Sequence, residues 1–237
     1  MFFSTVPFKA ARKSLYYPFN IKIMSYSVKE MFHTLQGEGA NAGRSAVFCR
    51  FTGCNLWSGY EIDRANAICN FCDTDFVGID GQNGGKFEKA NELAEAVDKI
   101  WNSQVQNKKK KFIVCTGGEP LLQLDTKLID ALHKKDFEVA VETNGTQEAP
   151  LNIDWVCMSP KTNTSDLVIT SGDELKFVYP QESLTPEQFE DFDFSCFYLV
   201  PMDGKNKEEN TRLAADYCLK NPKWKLNLQM HKLLGLP

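Results

Sequence analysis

Three of the eight cysteines in this 237-residue chain, Cys54, Cys69 and Cys72, are spaced C-x14-C-x2-C. The closing C-x2-C turn puts two sulfurs on one side of a tight loop, an arrangement suited to a shared metal or cluster. Two chemistries compete for it. Structural zinc asks for four closed ligands, and Cys49 would complete C-x4-C-x14-C-x2-C. An iron–sulfur cube normally takes four cysteines, and with three it leaves one iron open to a small-molecule ligand. Cys49 lies inside the run Ala46–Phe51, where a strand would point successive side chains to opposite faces. Arg50 then faces away from Cys49, and Cys49 reads as a core thiol. So do Cys115, Cys157, Cys196 and Cys218, each alone in a strand or helix pattern. Spacing alone leaves zinc and iron–sulfur both open.

A second signal separates them. Thr116-Gly117-Gly118-Glu119-Pro120 closes the short apolar run Phe112–Thr116. Two glycines let backbone approach a ligand, and a carboxylate accepts from an ammonium group. In a parallel α/β fold the C-terminal strand end is where ligands bind. By itself such a turn is an ordinary strand-to-helix loop, with Pro120 opening the helix.

These residues need elements to hold them. Val28–His33, Ala46–Phe51, Phe112–Thr116, Glu138–Thr143, Trp155–Ser159, Leu175–Tyr179, Phe197–Val200 and Trp224–Met230 read as strands. Phe87–Trp101 carries a helical apolar stripe through Ala90, Leu93, Ala94, Val97, Ile100 and Trp101, and Leu121–His133 and Asn210–Leu219 also read as helices. The alternation predicts one α/β domain with a mainly parallel sheet, and the strand number suits an incomplete TIM-like βα barrel with few helices.

Composition narrows the function classes. With 27 Lys+Arg against 31 Asp+Glu the net charge is −4, which argues against nucleic acid as the main ligand. No apolar run approaches the roughly 20 residues of a membrane span. No secretory leader opens the chain, so the expected compartment is the reducing cytoplasm and the cysteines are expected as thiols. Residues 1–23 hold Lys9, Arg12, Lys13 and Lys22 and no acidic residue; they are expected to lie outside the fold, with Met24 as the natural start and 24–237 as a single domain. Lys108–Lys111 is expected as a solvated loop.

Clustered cysteines in the first third and GGEP after a later strand together resemble the radical S-adenosylmethionine (SAM) enzymes. Their usual spacing is C-x3-C-x2-C, and the 14-residue expansion here is similar to that of some 7-carboxy-7-deazaguanine synthases. Other stretches resemble the same family: Phe32 to Gly39, Arg50 to Trp57, Cys72-Asp73-Thr74-Asp75, Glu142-Thr143-Asn144-Gly145, Ser159-Pro160-Lys161 and Pro201-Met202-Asp203-Gly204. The resemblance runs from about Met24 to Pro237 and implies a radical SAM barrel. It implies a 4Fe–4S cluster on Cys54, Cys69 and Cys72, with SAM on the open iron. One electron from a flavodoxin-type donor would generate a radical from SAM. That radical would contract the ring of 6-carboxy-5,6,7,8-tetrahydropterin with loss of ammonia, on the route to queuosine and related 7-deazapurines.

By the same resemblance Gly117, Gly118, Glu119, Asn144, Ser159, Lys161, Met202 and Asp203 would bind SAM. Leu35, Gln36, Gly37, Glu38, Thr116 and the terminal carboxylate of Pro237 would bind the pterin, and Arg50 its carboxylate. Thr74 would be a ligand of Mg2+, which favours oxygen donors and water. A homodimer is also implied. Val200 departs from the glutamine expected before Pro-Met-Asp, removing a side-chain contact to SAM. Two other readings are a radical SAM activase acting on a partner protein and a zinc-stabilised module binding tRNA.

Overall fold

The computed structural model describes residues 25–106 and 110–237. The basic leader, Met24 and the first half of the Lys108–Lys111 run therefore lie outside the described residues. Nine strands form one open sheet: β1 (Tyr26–Leu35), β2 (Ser45–Phe51), β3 (Gly85–Phe87), β4 (Lys111–Gly117), β5 (Phe137–Thr143), β6 (Trp155–Met158), β7 (Ser171–Tyr179), β8 (Asp193–Pro201) and β9 (Lys225–Leu226). Their order is β3-β1-β2-β4-β5-β6-β7-β8-β9. β1 pairs antiparallel with β2 and β3, and from β2 to β9 every pair is parallel. The helices are α1 (Ala90–Gln104), α2 (Thr126–His133), α3 (Lys207–Lys220) and α4 (Met230–Leu234). This is the incomplete barrel expected.

Strand alternation sorts the side chains. One face carries Val47, Cys49, Phe51, Ile113, Cys115, Val139, Val141, Leu175 and Phe177 into the main apolar core. α1 seals that face with Leu93, Ala94, Val97 and Trp101, one stripe at helical spacing. Each such side chain contributes on the order of 1.5–3 kcal/mol when buried. The other face holds a small apolar cluster of Ala46, Phe112, Val114 and Ala140. Beyond it, toward the strand ends, this face turns polar. Cys49 and Cys115 sit in the outer core as expected. Cys157 is buried on the inner face beside Glu174, whereas Cys196 and Cys218 are only partly buried.

Two elements depart from the sequence reading. The helix expected over Leu121–His133 is broken: a 3-10 turn over Pro120–Leu122 is followed by α2 from Thr126. Gln123 leaves helical geometry between them, accepting from Ser27 N (2.7 Å) and donating to Thr52 O (2.8 Å). Asp125 then caps α2, accepting from Leu128 N at 3.0 Å. The strand expected over Trp224–Met230 is only Lys225–Leu226, and Met230 opens α4. Past Asn227, whose N–H still donates to Leu199 O, the chain leaves the sheet edge and Met230 N donates to Gly37 O at 3.0 Å.

Candidate active site

A cavity of about 450 Å³ opens at the C-terminal ends of the parallel strands and runs along the inner face. Cys54, Cys69 and Cys72 all line it. The 14 residues between the first two are folded back on themselves: Leu56 O accepts from Ile68 N (3.1 Å) and Cys69 N (3.3 Å), which closes the insertion at its base. Arg64 within it stacks 4.0 Å over Trp57 and donates to Asn70 O (3.0 Å) and Cys72 O (2.9 Å), bracing the C-x2-C turn. The expanded spacing thus still delivers three sulfurs to one place.

The thiols sit in a partly dry setting beside buried Leu56, Trp57 and Phe76. Burial pushes the Cys54 thiol up, while Leu56 N donates to its Sγ at 3.4 Å. Cys69 and Cys72 act on each other: the hydrogen bond from Cys69 brings Cys72 down to about 6, and the same bond raises Cys69. Among the described residues no three His, Cys, Asp or Glu side chains converge on a point where one metal ion could sit. A tetrahedral zinc needs all its donors at about 2.0–2.3 Å from one centre. A cube presents separate irons to separate thiolates, so three thiols lining one open cavity fit a cluster with one free iron.

The GGEP turn also ties two loops together. Gly118 N donates to Phe51 O (3.3 Å) and Glu119 N to Gly53 O (2.8 Å), tying the loop that carries Cys54 to the end of β4. A Cβ at Gly117 (φ +143) would collide with Phe51 backbone, and one at Gly118 with Gly53 O. The glycines therefore allow backbone to approach backbone. Glu119 does not reach the cavity: it is fully buried, accepting from Thr143 Oγ1 (2.8 Å), Asn144 N (2.8 Å) and Leu121 N (2.9 Å). In this structure its carboxylate orders the ends of β4 and β5. Burial raises its pKa, and these three donors oppose the rise.

Every other residue singled out from the sequence lines the cavity. On the side of the thiols are Thr74, Asn144, Ser159, Lys161, Met202 and Asp203. Asn144 Nδ2 donates to Asn55 Oδ1 at 3.0 Å, and Lys161 donates to the Ser159 carbonyl at 3.1 Å. Burial lowers the Lys161 pKa. Val200 lines the wall as well, with methyl groups only. Leu35, Gln36, Gly37, Glu38, Thr116, Gly117 and Gly118 line it too. Arg50 projects inward, Nε donating to Glu30 Oε1 at 2.8 Å; among the described residues its two terminal nitrogens donate to no side chain or carbonyl. Pro237 also lines the cavity, its O accepting from Thr34 Oγ1 at 3.2 Å, so the chain terminus is folded in.

Several wall residues escaped sequence reasoning. Glu142 and Lys176 lie on inner strand positions, and His231 and Lys232 come from α4. Lys232 donates to Asp203 (2.6 Å) and Asp73 (2.9 Å), joining α4 to both rims. One signal was readable: Lys176 interrupts Leu175-Lys176-Phe177-Val178, and a lone charge in an apolar strand of a parallel sheet is costly unless it faces a site. α4 carried none, because Trp224–Met230 also fits a strand.

Comparison with known proteins agrees with this geometry. The radical SAM superfamily matches residues 62–167. The 7-carboxy-7-deazaguanine synthase of Caulobacter vibrioides is 59% identical over 214 residues, covering 90% of this chain and 100% of that protein. The enzymes of that name from Bradyrhizobium diazoefficiens (57%) and Burkholderia multivorans (54%) cover the same shares. Among solved structures, the crystal structure of QueE from Escherichia coli superposes with a TM-score of 0.61 at 25% identity, covering 88% of this chain and 95% of that one. No helix among the described residues is long and apolar enough to cross a membrane.

Proposed function

The chain belongs to the 7-carboxy-7-deazaguanine synthases of the radical SAM superfamily, and from that premise we propose how its own residues divide the work. It is a SAM-dependent lyase of 7-deazapurine biosynthesis, which sets aside the activase and the zinc-binding module. Its substrate is 6-carboxy-5,6,7,8-tetrahydropterin and its product 7-carboxy-7-deazaguanine. When bound, the 4Fe–4S cluster and SAM supply the radical that starts ring contraction.

In our reading Cys54, Cys69 and Cys72 hold the cluster. Asn144, Ser159, Lys161, Met202 and Asp203, with the edges of Gly117 and Gly118, form the SAM wall. Lys161 sets its positive charge beside Cys69 and Cys72 and favours their thiolate forms. Arg50 grips the substrate carboxylate with its two terminal nitrogens while Glu30 orients Nε. Gln36, Glu38, Thr116 and the Pro237 carboxylate face the amino and amide edge of the pterin, where acceptors are needed. α4 covers this chamber and limits water. Thr74 holds Mg2+ with substrate oxygens and water completing its shell. A flavodoxin-type donor, a homodimer and a cytoplasmic setting belong to the same proposal.

The observation that carries this reading is one cavity lined both by the three thiols and by Arg50, Gln36 and Glu38. The test is turnover by anaerobically reconstituted full chain. The carboxy-tetrahydropterin should be consumed only with SAM and reductant together, and faster with Mg2+ than with chelator. No product under complete conditions would refute the assignment.

A further inference from the structure

Lys176 is the least expected charge in the molecule. It lies in the middle of β7 with Leu175 and Phe177 buried on either side, and its own side chain is 8% exposed. Its ammonium is 2.6 Å from Glu38 Oε2 and 3.1 Å from Glu142 Oε1. These carboxylates arrive from segments far apart in sequence, one from the turn after β1 and one from β5. Neutral side chains orient both carboxylates further. Gln229 donates to Glu38 Oε1 at 2.9 Å, and Gln36 donates to Glu142 Oε1 at 3.0 Å. All three charged groups line the cavity.

A buried ion cluster is a poor stabilising device, because apolar residues of similar volume often serve equally well or better. Two neighbouring carboxylates without a cation tend to share a proton, and one then ceases to be an acceptor. We propose that Lys176 is a positioning residue for the reaction: it holds Glu38 and Glu142 side by side as oriented acceptors for the N–H groups of the pterin. This rests on the reading of the cavity as the pterin site.

The groups around Lys176 are Glu38 after β1, Glu142 on β5, Cys157 on β6, Lys161 after β6, Glu174 on β7 and His231 on α4, with Tyr198, raised by burial, as its register partner on β8. Burial alone would raise the Glu38 carboxyl; the Lys176 ammonium reverses this and, with Gln229 and His231, holds it at about 2. Without Lys176 burial prevails and the carboxyl rises. The other nearby cations do not replace it, since burial lowers the pKa of both Lys161 and His231. Glu174, buried behind the pair and accepting from Ala40 N at 2.9 Å, is already raised by burial and adds further negative charge only when ionised.

The experiment uses cluster-loaded full chain as wild type, Lys176→Met and Lys176→Arg. Lys176→Met should keep its iron content, raise KM for the carboxy-tetrahydropterin about tenfold or more at neutral pH, and move the acid limb of kcat/KM up by about one pH unit or more. Lys176→Arg should return the acid limb to its wild-type place. A Lys176→Met enzyme with wild-type KM and acid limb overturns the proposal. Carboxyl 13C titration of Glu38, assigned through Glu38→Gln, needs no turnover and so separates this failure from failure of the pterin assignment. In wild type Glu38 should stay ionised below about pH 4; titration at or above the ordinary value overturns the clamp, even if Lys176→Met does not fold.

Discussion

The two faces of the sheet are built from the same strands and have opposite chemistry. On β2, Cys49 enters an apolar core while Arg50 enters the cavity, one residue away. On β4, Cys115 is buried outside and Thr116 lines the site. On β7, Leu175 and Phe177 fill the core, whereas Glu174 and Lys176 carry charge inward. Burial raises the Cys115 thiol to about 12 and leaves it inert. Cys72, in a loop at the strand ends, is brought down to about 6 by its neighbour Cys69. Residue type therefore says little about reactivity in this chain; the face and the strand end decide it.

Substitutions on opposite faces should break or sharpen that contrast. The largest effect is expected for Cys54→Ala, which removes one of three thiols: turnover and the broad visible absorbance of the reconstituted protein should both fall below detection. Cys115→Ala, on the other face, should retain full turnover and lose only about 1 kcal/mol of stability in urea unfolding. Full loss of activity in Cys115→Ala would erase the distinction.

Arg50→Ala should come next. Removing charge-assisted hydrogen bonds costs about 1.5–3 kcal/mol, so kcat/KM should fall roughly 10- to 150-fold, chiefly through KM. Arg50→Lys should recover little, because a point charge cannot reproduce the planar fork. Steady-state kinetics with substrate varied would show this, and an unchanged KM in Arg50→Ala would remove Arg50 from the substrate wall.

Glu119→Gln sits between the two faces, since Glu119 holds the strand ends beside the cavity. A glutamine must turn its NH2 toward one of three donors, Leu121 N, Asn144 N or Thr143 Oγ1. Leaving buried groups unpaired costs about 1–3 kcal/mol. Urea midpoints should fall accordingly, and turnover should fall with them while iron is retained. A variant as stable as wild type would return Glu119 to a ligand-binding role.

The smallest effect is in acid. The Glu38 carboxyl is lower in the folded protein than its ordinary value of 4.5. Its stabilising contribution is then complete above 4.5 and lost as pH falls toward about 2. Wild type and Cys115→Ala should share this loss between pH 4.5 and 2 in acid unfolding; Lys176→Met should lack it.

Much of this was legible in the sequence, for definable reasons. Alternation in Ala46–Phe51 separated Cys49 from Arg50, and the C-x14-C-x2-C spacing picked the three thiols that line the cavity. Local pattern failed where a distant partner decides the outcome. Gln123 breaks a good helical run because Ser27 and Thr52 need its side chain. The glycines of the GGEP turn accommodate the loop after β2. The Lys176 pairing with Glu38 and Glu142 joins β7 to residues 138 and 34 positions away, and no window on the chain holds all three. α4 is five residues long, too short for a helical period to announce itself.

Iron and sulfide analysis of anaerobically reconstituted full chain tests the account most directly. Wild type and Cys49→Ala should each bind about four irons and four sulfides per chain, and Cys54→Ala, Cys69→Ala and Cys72→Ala should each lose them. Zinc in place of iron, or loss of the cluster in Cys49→Ala with retention in Cys54→Ala, would contradict it.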